Sequence, residues 1–267
     1  MIEPFTVLAE DEDLPRWDIP AEIERIYGAL GLADECLVGN FVQSVDGVVA
    51  IPGLPRSHAV VSDDSEADRF VLALLRACAD VVLVGTGTLA ASPKGTWRVD
   101  KAYPDAADAF AELRASRGLP EQPLVAIATS GISFVPSHAV LDAGAIVLTT
   151  ESAAPGIAEA VPDATEVVAV ADGASVDLRA AVDALRKRGH GVIVSEAGPT
   201  LFGQLVAADL VDELFLTVSP LLAGHALGTR LNLVEGLELL PERRVAGRLR
   251  SVRTNDSHLF LRYALRS

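Results

Sequence analysis

The chain has 267 residues, half of them hydrophobic and 22% charged, a composition that folds around its own core and needs no metal or disulfide staple. Its net charge of −15, from 22 Lys and Arg against 37 Asp and Glu, argues against nucleic acid and anionic membrane as partners, because such a surface repels phosphate. Cys36 and Cys78 have no metal-ligand spacing. The opening residues MIEPFTVLAEDEDLP lack the basic and apolar regions of a secretory signal, and no apolar run approaches the about 20 residues of a membrane span, so a cytoplasmic protein is expected.

Residues 1–35 read as a polar lead-in, with Asp11, Glu12, Asp13, Pro15 and Pro20 ahead of a short helical stretch from Ala21 to Leu30. The first strand is expected from Leu37 to Val45. Asp46-Gly47 then turns the chain, and residues 48–51 return as a further strand. Residues 52–63 are a Pro/Gly/Ser/Asp loop. Ser62, Asp63, Asp64 or Ser65 caps a helix running from Ser65 to Cys78. VVLVG (81–85) is a buried strand. Residues 92–122 are irregular apart from a helix at 106–116. Strands follow at 124–129, 145–150, 167–170, 192–195, 214–219 and 258–265, with helices at 178–188 and 199–208. Alternating strands and helices predict one α/β domain over 36–267, its sheet mostly parallel with an antiparallel edge.

Three stretches carry chemistry. Gly85-Thr86-Gly87-Thr88 follows the VVLV strand, where glycines expose backbone amides at the carboxyl end of the sheet; an ordinary tight turn would also use them. Glu196-Ala197-Gly198-Pro199-Thr200-Leu201 follows the 192–195 strand. It places Pro at the first helical position and aims a helix N-terminus above the sheet, a diphosphate site without the GxGxxG fingerprint of ordinary dehydrogenases. Alternation puts Asn40, Val42, Ser44 and Asp46 on one strand face, where three polar groups require partners that a polar ligand or a hairpin turn would supply. Asp68 lies in the first turn of its helix and Arg76 near the C-terminus, positions that the helix dipole alone would favour. His58, His138, His190, His225 and His258 are scattered and read as solvated or structural.

In their order, NFxxSxDG, LLRAxAD, VGTGT, EAGPTL and LVDELFLTVSPLLAG resemble the reductase domain of the riboflavin-biosynthesis deaminase-reductases, in stand-alone form, over about residues 37–265. The resemblance implies a dihydrofolate-reductase-like fold, a homodimer, and NADPH-dependent reduction of 5-amino-6-(5-phosphoribosylamino)uracil, a phosphorylated pyrimidine, to its ribitylamino product. By resemblance, Val42, Gly85, Thr86, Gly87, Thr88, Thr129, Ser130, Gly198, Pro199, Thr200 and Leu201 match cofactor positions. Asn40, Ser44, Asp46, Ser57, Arg76 and Arg98 line the substrate, and Glu196 and Asp68 are the catalytic candidates. Two features depart from the family: Leu89–Pro93 carries no acid, and Thr129-Ser130-Gly131 lacks the Arg expected at the 2′-phosphate of NADP. Two other readings are a dihydrofolate or related pterin reductase, with Asp68 binding the ring, and a non-catalytic nucleotide-binding protein.

Overall fold

A computed structural model describes residues 2–54, 56–224, 226 and 228–265; His225 lies outside them. In chain order the elements are β1 (Thr6–Glu10), α1 (Ala21–Tyr27), β2 (Cys36–Ser44), α2 (Ser57–Val61), α3 (Glu66–Cys78), β3 (Val81–Gly85), α4 (Thr86–Ala91), α5 (Val99–Ala102), α6 (Ala107–Ser116), β4 (Leu124–Ala128), β5 (Ala145–Thr150), α7 (Ala154–Ala160), β6 (Glu166–Ala171), α8 (Leu178–Arg186), β7 (Val192–Ser195), α9 (Pro199–Ala207), β8 (Glu213–Ser219), β9 (Arg248–Asn255) and β10 (His258–Ala264).

All ten strands join one sheet in the order β1-β9-β10-β8-β2-β7-β3-β4-β5-β6. From β8 to β6 every pairing is parallel, and β1, β9 and β10 form an antiparallel edge. The central strands are apolar on both faces because helices cover both. Val82 and Val84 pack with Phe70, Leu74 and Phe110 of α3 and α6. Val81 and Leu83 point the other way, toward Leu185 and Leu205 of α8 and α9. Gly39 sets how closely α9 approaches: a β-carbon there would lie 2.4 Å from Phe202 Cε2, and the Phe202 ring stacks obliquely 4.7 Å from Phe41. The chain moves outward from β2 to β6, then returns to β7 between β2 and β3. That reversal opens a crevice at the carboxyl ends of these strands, where open α/β sheets bind ligands.

Several elements differ from the sequence reading. The lead-in is part of the domain: β1 pairs with β9, and Phe5, Ile23, Ile26 and Tyr27 enter the core. Strand β9, RLRSVRTN, was masked by its arginines. Arg253 is nevertheless buried, because its guanidinium pairs with Glu10, donates to the Tyr27 and Ala29 carbonyls and lies over the Tyr27 ring. Residues 48–51 form no strand; the left-handed Gly47 turns them away and they keep only the bridge Ala50–Leu231. The 52–63 loop contains α2, the Gly85–Thr88 turn opens α4, the irregular 92–122 stretch holds α5, and α7 was unforeseen. Gly28, at φ 86, ends α1 before Leu30.

Candidate active site

A cavity of about 960 Å³ opens at the carboxyl ends of β2, β7, β3 and β4. The strand-to-helix turns β3–α4 and β7–α9 form part of its wall. Gly85 brings them together, since a β-carbon there would meet Leu201 Cδ2 at 3.2 Å. Gly87 and Gly198 face open space instead: a β-carbon on Gly87 would meet nothing within 4 Å, and one on Gly198 only Thr88 Oγ1, at 3.8 Å. Both lie in a wall that a ligand can approach to backbone contact. Pro199 opens α9, and the first-turn amides of that helix have no intrahelical acceptor.

Glu196 enters the cavity directly after β7, its own amide donating to Leu83 O at 3.0 Å. Its carboxylate is not free. Arg76 grips it in a two-pronged ion pair, Nε to Oε1 at 2.6 Å and Nη2 to Oε2 at 2.7 Å, with each side chain little exposed. Arg76 is held in turn because Arg114, fully buried, donates to the Arg76, Ala77 and Ala79 carbonyls and so replaces a glycine cap at the end of α3.

Asp68 faces the cavity from the first turn of α3, where Ser65 caps the helix by accepting from the Asp68 amide at 3.2 Å. Burial pushes its carboxyl up from the usual 3.8 to about 6, while the Thr217 hydroxyl, His258 and Arg69 pull the other way. A value raised on folding means that the stability due to this group is full below about pH 4 and is lost as pH rises through 6. Asp68→Asn removes that loss. The variant is expected to exceed the parent in chemical-denaturation stability by about 1–3 kcal/mol at pH 7.5 and to match it near pH 4. A gain of equal size at both pH values would show that the ionisation is not its source.

The structure brings together Asn40, Val42, Ser57, Asp68, Arg76, Gly85, Thr86, Gly87, Thr88, Arg98, Thr129, Ser130, Glu196, Gly198, Pro199, Thr200 and Leu201 around this one cavity. Arg98 reaches it with its guanidinium shared between Asp100 (2.9 Å) and Glu121 (3.4 Å). Ser44 and Asp46 do not line it. Their polar groups close the turn after β2: Ser44 Oγ donates to Asp46 Oδ1, and the Asp46 carboxylate accepts from the Ala223 and Gly224 amides at 3.0 and 2.8 Å. These bonds draw the Asp46 carboxyl down to about 2. The partners of these two side chains are thus within the protein, whereas Asn40 of the same strand face lines the cavity.

Sequence reading missed His58, Lys94, Lys101 and Leu231, all in the wall. Burial, with Arg56 adding to it, lowers the His58 pKa, so the neutral imidazole is favoured. His138 is structural, its Nε2–H donating to Ser92 O at 2.9 Å and its Nδ1 accepting from the Val140 amide. His258 is buried and donates to Ser62 O. Among the described residues no helix is long and apolar enough to cross a membrane.

The profile of the RibD C-terminal domain matches residues 36–259. A pyrimidine reductase-like protein from Corynebacterium diphtheriae superposes with a TM-score of 0.72 at 20% identity, over 91% of this chain and 98% of that one. Acinetobacter baumannii RibD gives 0.65 at 16% identity, over 87% of this chain and 58% of the other. The Thermotoga maritima diaminohydroxyphosphoribosylaminopyrimidine deaminase/5-amino-6-(5-phosphoribosylamino)uracil reductase gives 0.63 at 18%, over 87% and 57%. The chain spans somewhat over half the length of these last two, and at such identities the likeness is one of fold. No curated protein sequence matches the chain. Fold and profile together define the class, an α/β reductase domain with its cavity at the carboxyl edge of the sheet. Within it, the chain belongs to the RibD C-terminal domain family, the reductases of riboflavin biosynthesis.

Proposed function

We propose that the protein uses NADPH to reduce the ribosyl group of 5-amino-6-(5-phosphoribosylamino)uracil to ribityl. The observation that carries this reading is the pair of glycine turns bordering one cavity beside the Arg76–Glu196 ion pair. The cradle fits a dinucleotide: Gly87 and Gly198 leave room for close backbone approach, and the first turn of α9 offers amides and a positive dipole end to a diphosphate. A cavity of about 960 Å³ is at the upper end of the range for single-ligand sites, about 300–1,000 Å³, and suits a cofactor and substrate held side by side.

The nicotinamide supplies the hydride, and the protein supplies orientation and electrostatics. Glu196, fixed by Arg76, accepts hydrogen bonds from sugar hydroxyls or a pyrimidine N–H. Because its charge is already matched by an arginine, its role is to position the substrate, not to move a proton. Asp68, with a carboxyl near 6, is the group suited to hold a proton for the substrate nitrogen at working pH. The same half-buried acid favours the second reading, a pterin reductase in which Asp68 binds the ring. Cofactor binding tests the first step: titration of the protein with NADPH, followed by fluorescence, is expected to saturate, and no binding at millimolar NADPH would remove the dinucleotide from the account. We also read the chain as a homodimer, which light scattering would refute by showing a 28.0 kDa particle at micromolar concentration.

A further inference from the structure

Asp68 looks into the cavity, and two side chains from the antiparallel edge of the sheet stand against its carboxyl: the Thr217 hydroxyl on β8, which donates to it, and the His258 imidazole on β10. The register accounts for the meeting. Phe260 pairs with Thr217 and Leu259 with Val218, so alternation turns Thr217, Ser219, His258 and Phe260 to the inner face, where α3 packs. All four are buried. The His258 ring stacks on Phe260 with 6.3 Å between centroids, and Phe260 meets Phe5 at 4.8 Å. In such surroundings an imidazolium and a carboxylate act on each other with little screening from solvent.

His258 also holds the segment that leads into α3. Its Nε2–H donates to Ser62 O at 2.9 Å, and because a carbonyl only accepts, that nitrogen carries a proton. Ser62 is followed by Asp63 and Asp64, both left-handed at φ 56 and 50, and then by Ser65, which caps α3 at the Asp68 amide. The reversal is thus tied at its start to β10, and at Asp64 O to Arg69 Nη1 (2.7 Å). With Nε2 committed, the ring gains or loses charge at Nδ1. Ser219 Oγ, fully buried, has no hydrogen-bond partner among the described residues, and the register sets Ser219 level with His258. That oxygen is an acceptor in the same layer as the ring.

We propose that His258 is a positioning residue that acts through Asp68: its ring fixes the segment entering α3, and its charge governs whether the Asp68 carboxyl holds a proton when substrate binds. The second half rests on the proposed reading of Asp68 as the proton holder. When the substrate nitrogen takes that proton, the carboxyl O–H bond breaks, an N–H bond forms and a carboxylate stays behind. His258 offsets the new charge by taking a proton from solvent at Nδ1. The groups that face Asp68 are Arg69 on its own helix, Thr217 on β8 and His258 on β10, and all three favour the ionised form against burial. Arg69 is 40% exposed and lies 3.6 Å from Glu66, so solvent and salt weaken its part. The buried imidazole is not weakened in this way.

The test uses His258→Gln, which keeps an N–H for Ser62 O and removes the charge, and His258→Phe, which removes both and keeps the stacking on Phe260. The carboxyl-carbon NMR signal of Asp68, identified by its absence from Asp68→Asn, is expected to titrate near pH 6 in the parent and about 0.5–1 pH unit higher in both variants. The difference is expected to persist at about 1 M salt, whereas a smaller shift in Arg69→Gln should vanish there. The fall of kcat/KM with rising pH is expected to move up by the same amount, with an added loss of kcat in His258→Phe alone. An Asp68 titration unmoved in the His258 variants overturns the proposal. So does a titration that moves while the kinetic limb stays in place, because the Asp68 proton would then not serve the reaction. A titration that moves in a protein that reduces no uracil substrate leaves the coupling of His258 to Asp68 standing and removes the proposed reaction.

Discussion

Glu196→Gln is expected to lower kcat/KM on the phosphorylated uracil about 10- to 100-fold, which corresponds to about 1.4–2.7 kcal/mol of transition-state binding. Two effects contribute. The amide keeps the shape but lacks the charge that makes hydrogen bonds to substrate worth about 1.5–3 kcal/mol. It also leaves Arg76, a side chain only 12% exposed, with a cation that nothing neutralises, and breaking such a pair from one side costs more than the pair itself contributes. Arg76→Met should therefore be similarly damaging. The double variant should lose much less than the two losses combined, because both act on one contact. NADPH affinity should change little, since the diphosphate is assigned to backbone amides further along. A Glu196→Gln enzyme with the parent's kinetics would leave the carboxylate a bystander in the wall and move the substrate toward Asp68.

Gly198→Val is expected to weaken NADPH binding at least tenfold, about 1.4 kcal/mol. The fold should tolerate it. Gly198 has φ −65 and ψ 166, which any residue adopts, and a β-carbon would meet only Thr88 Oγ1 at 3.8 Å. The added methyls would occupy the space where the diphosphate must approach the amides. Equilibrium titration alongside a thermal melt separates the two cases. An unchanged Kd in a folded variant would place the cofactor elsewhere, and a large drop in melting temperature would mean that the glycine serves packing instead.

The parallel core was legible because strands covered on both faces are continuously apolar: VVLVG and AIVLTT need no tertiary knowledge to be read as buried. The two glycine turns were legible because strand, glycine and helix start fall in one short window. The edge was not. In β9 the inward-facing Arg253 is acceptable because Glu10 and the Tyr27 and Ala29 carbonyls, all more than 220 residues away in sequence, meet it, and no local pattern encodes those partners. Ser44 and Asp46 were misplaced for a related reason. Alternation correctly put polar groups on one face, but Ser44 is taken up by Asp46 and the Val48 amide, and Asp46 by the amides of Ala223 and Gly224, about 180 residues away in sequence. Glu196 was found as a cavity residue, whereas its clasp by Arg76 spans α3 and β7 and becomes visible only when those elements are adjacent. Lys94 and Lys101 carried no signal at all; in sequence they are two polar residues in an irregular stretch.

The central claim, reduction of a phosphoribosylaminouracil at the expense of NADPH, is tested most directly by following absorbance at 340 nm with the purified protein, NADPH and 5-amino-6-(5-phosphoribosylamino)uracil, in parallel with dihydrofolate. The expected result is a substrate-dependent fall in absorbance with the uracil compound, faster than with dihydrofolate and matched mole for mole by ribitylamino product. Faster oxidation with dihydrofolate would move the reaction to the pterin reading, and saturable NADPH binding without oxidation by either compound would contradict the assignment of an enzyme.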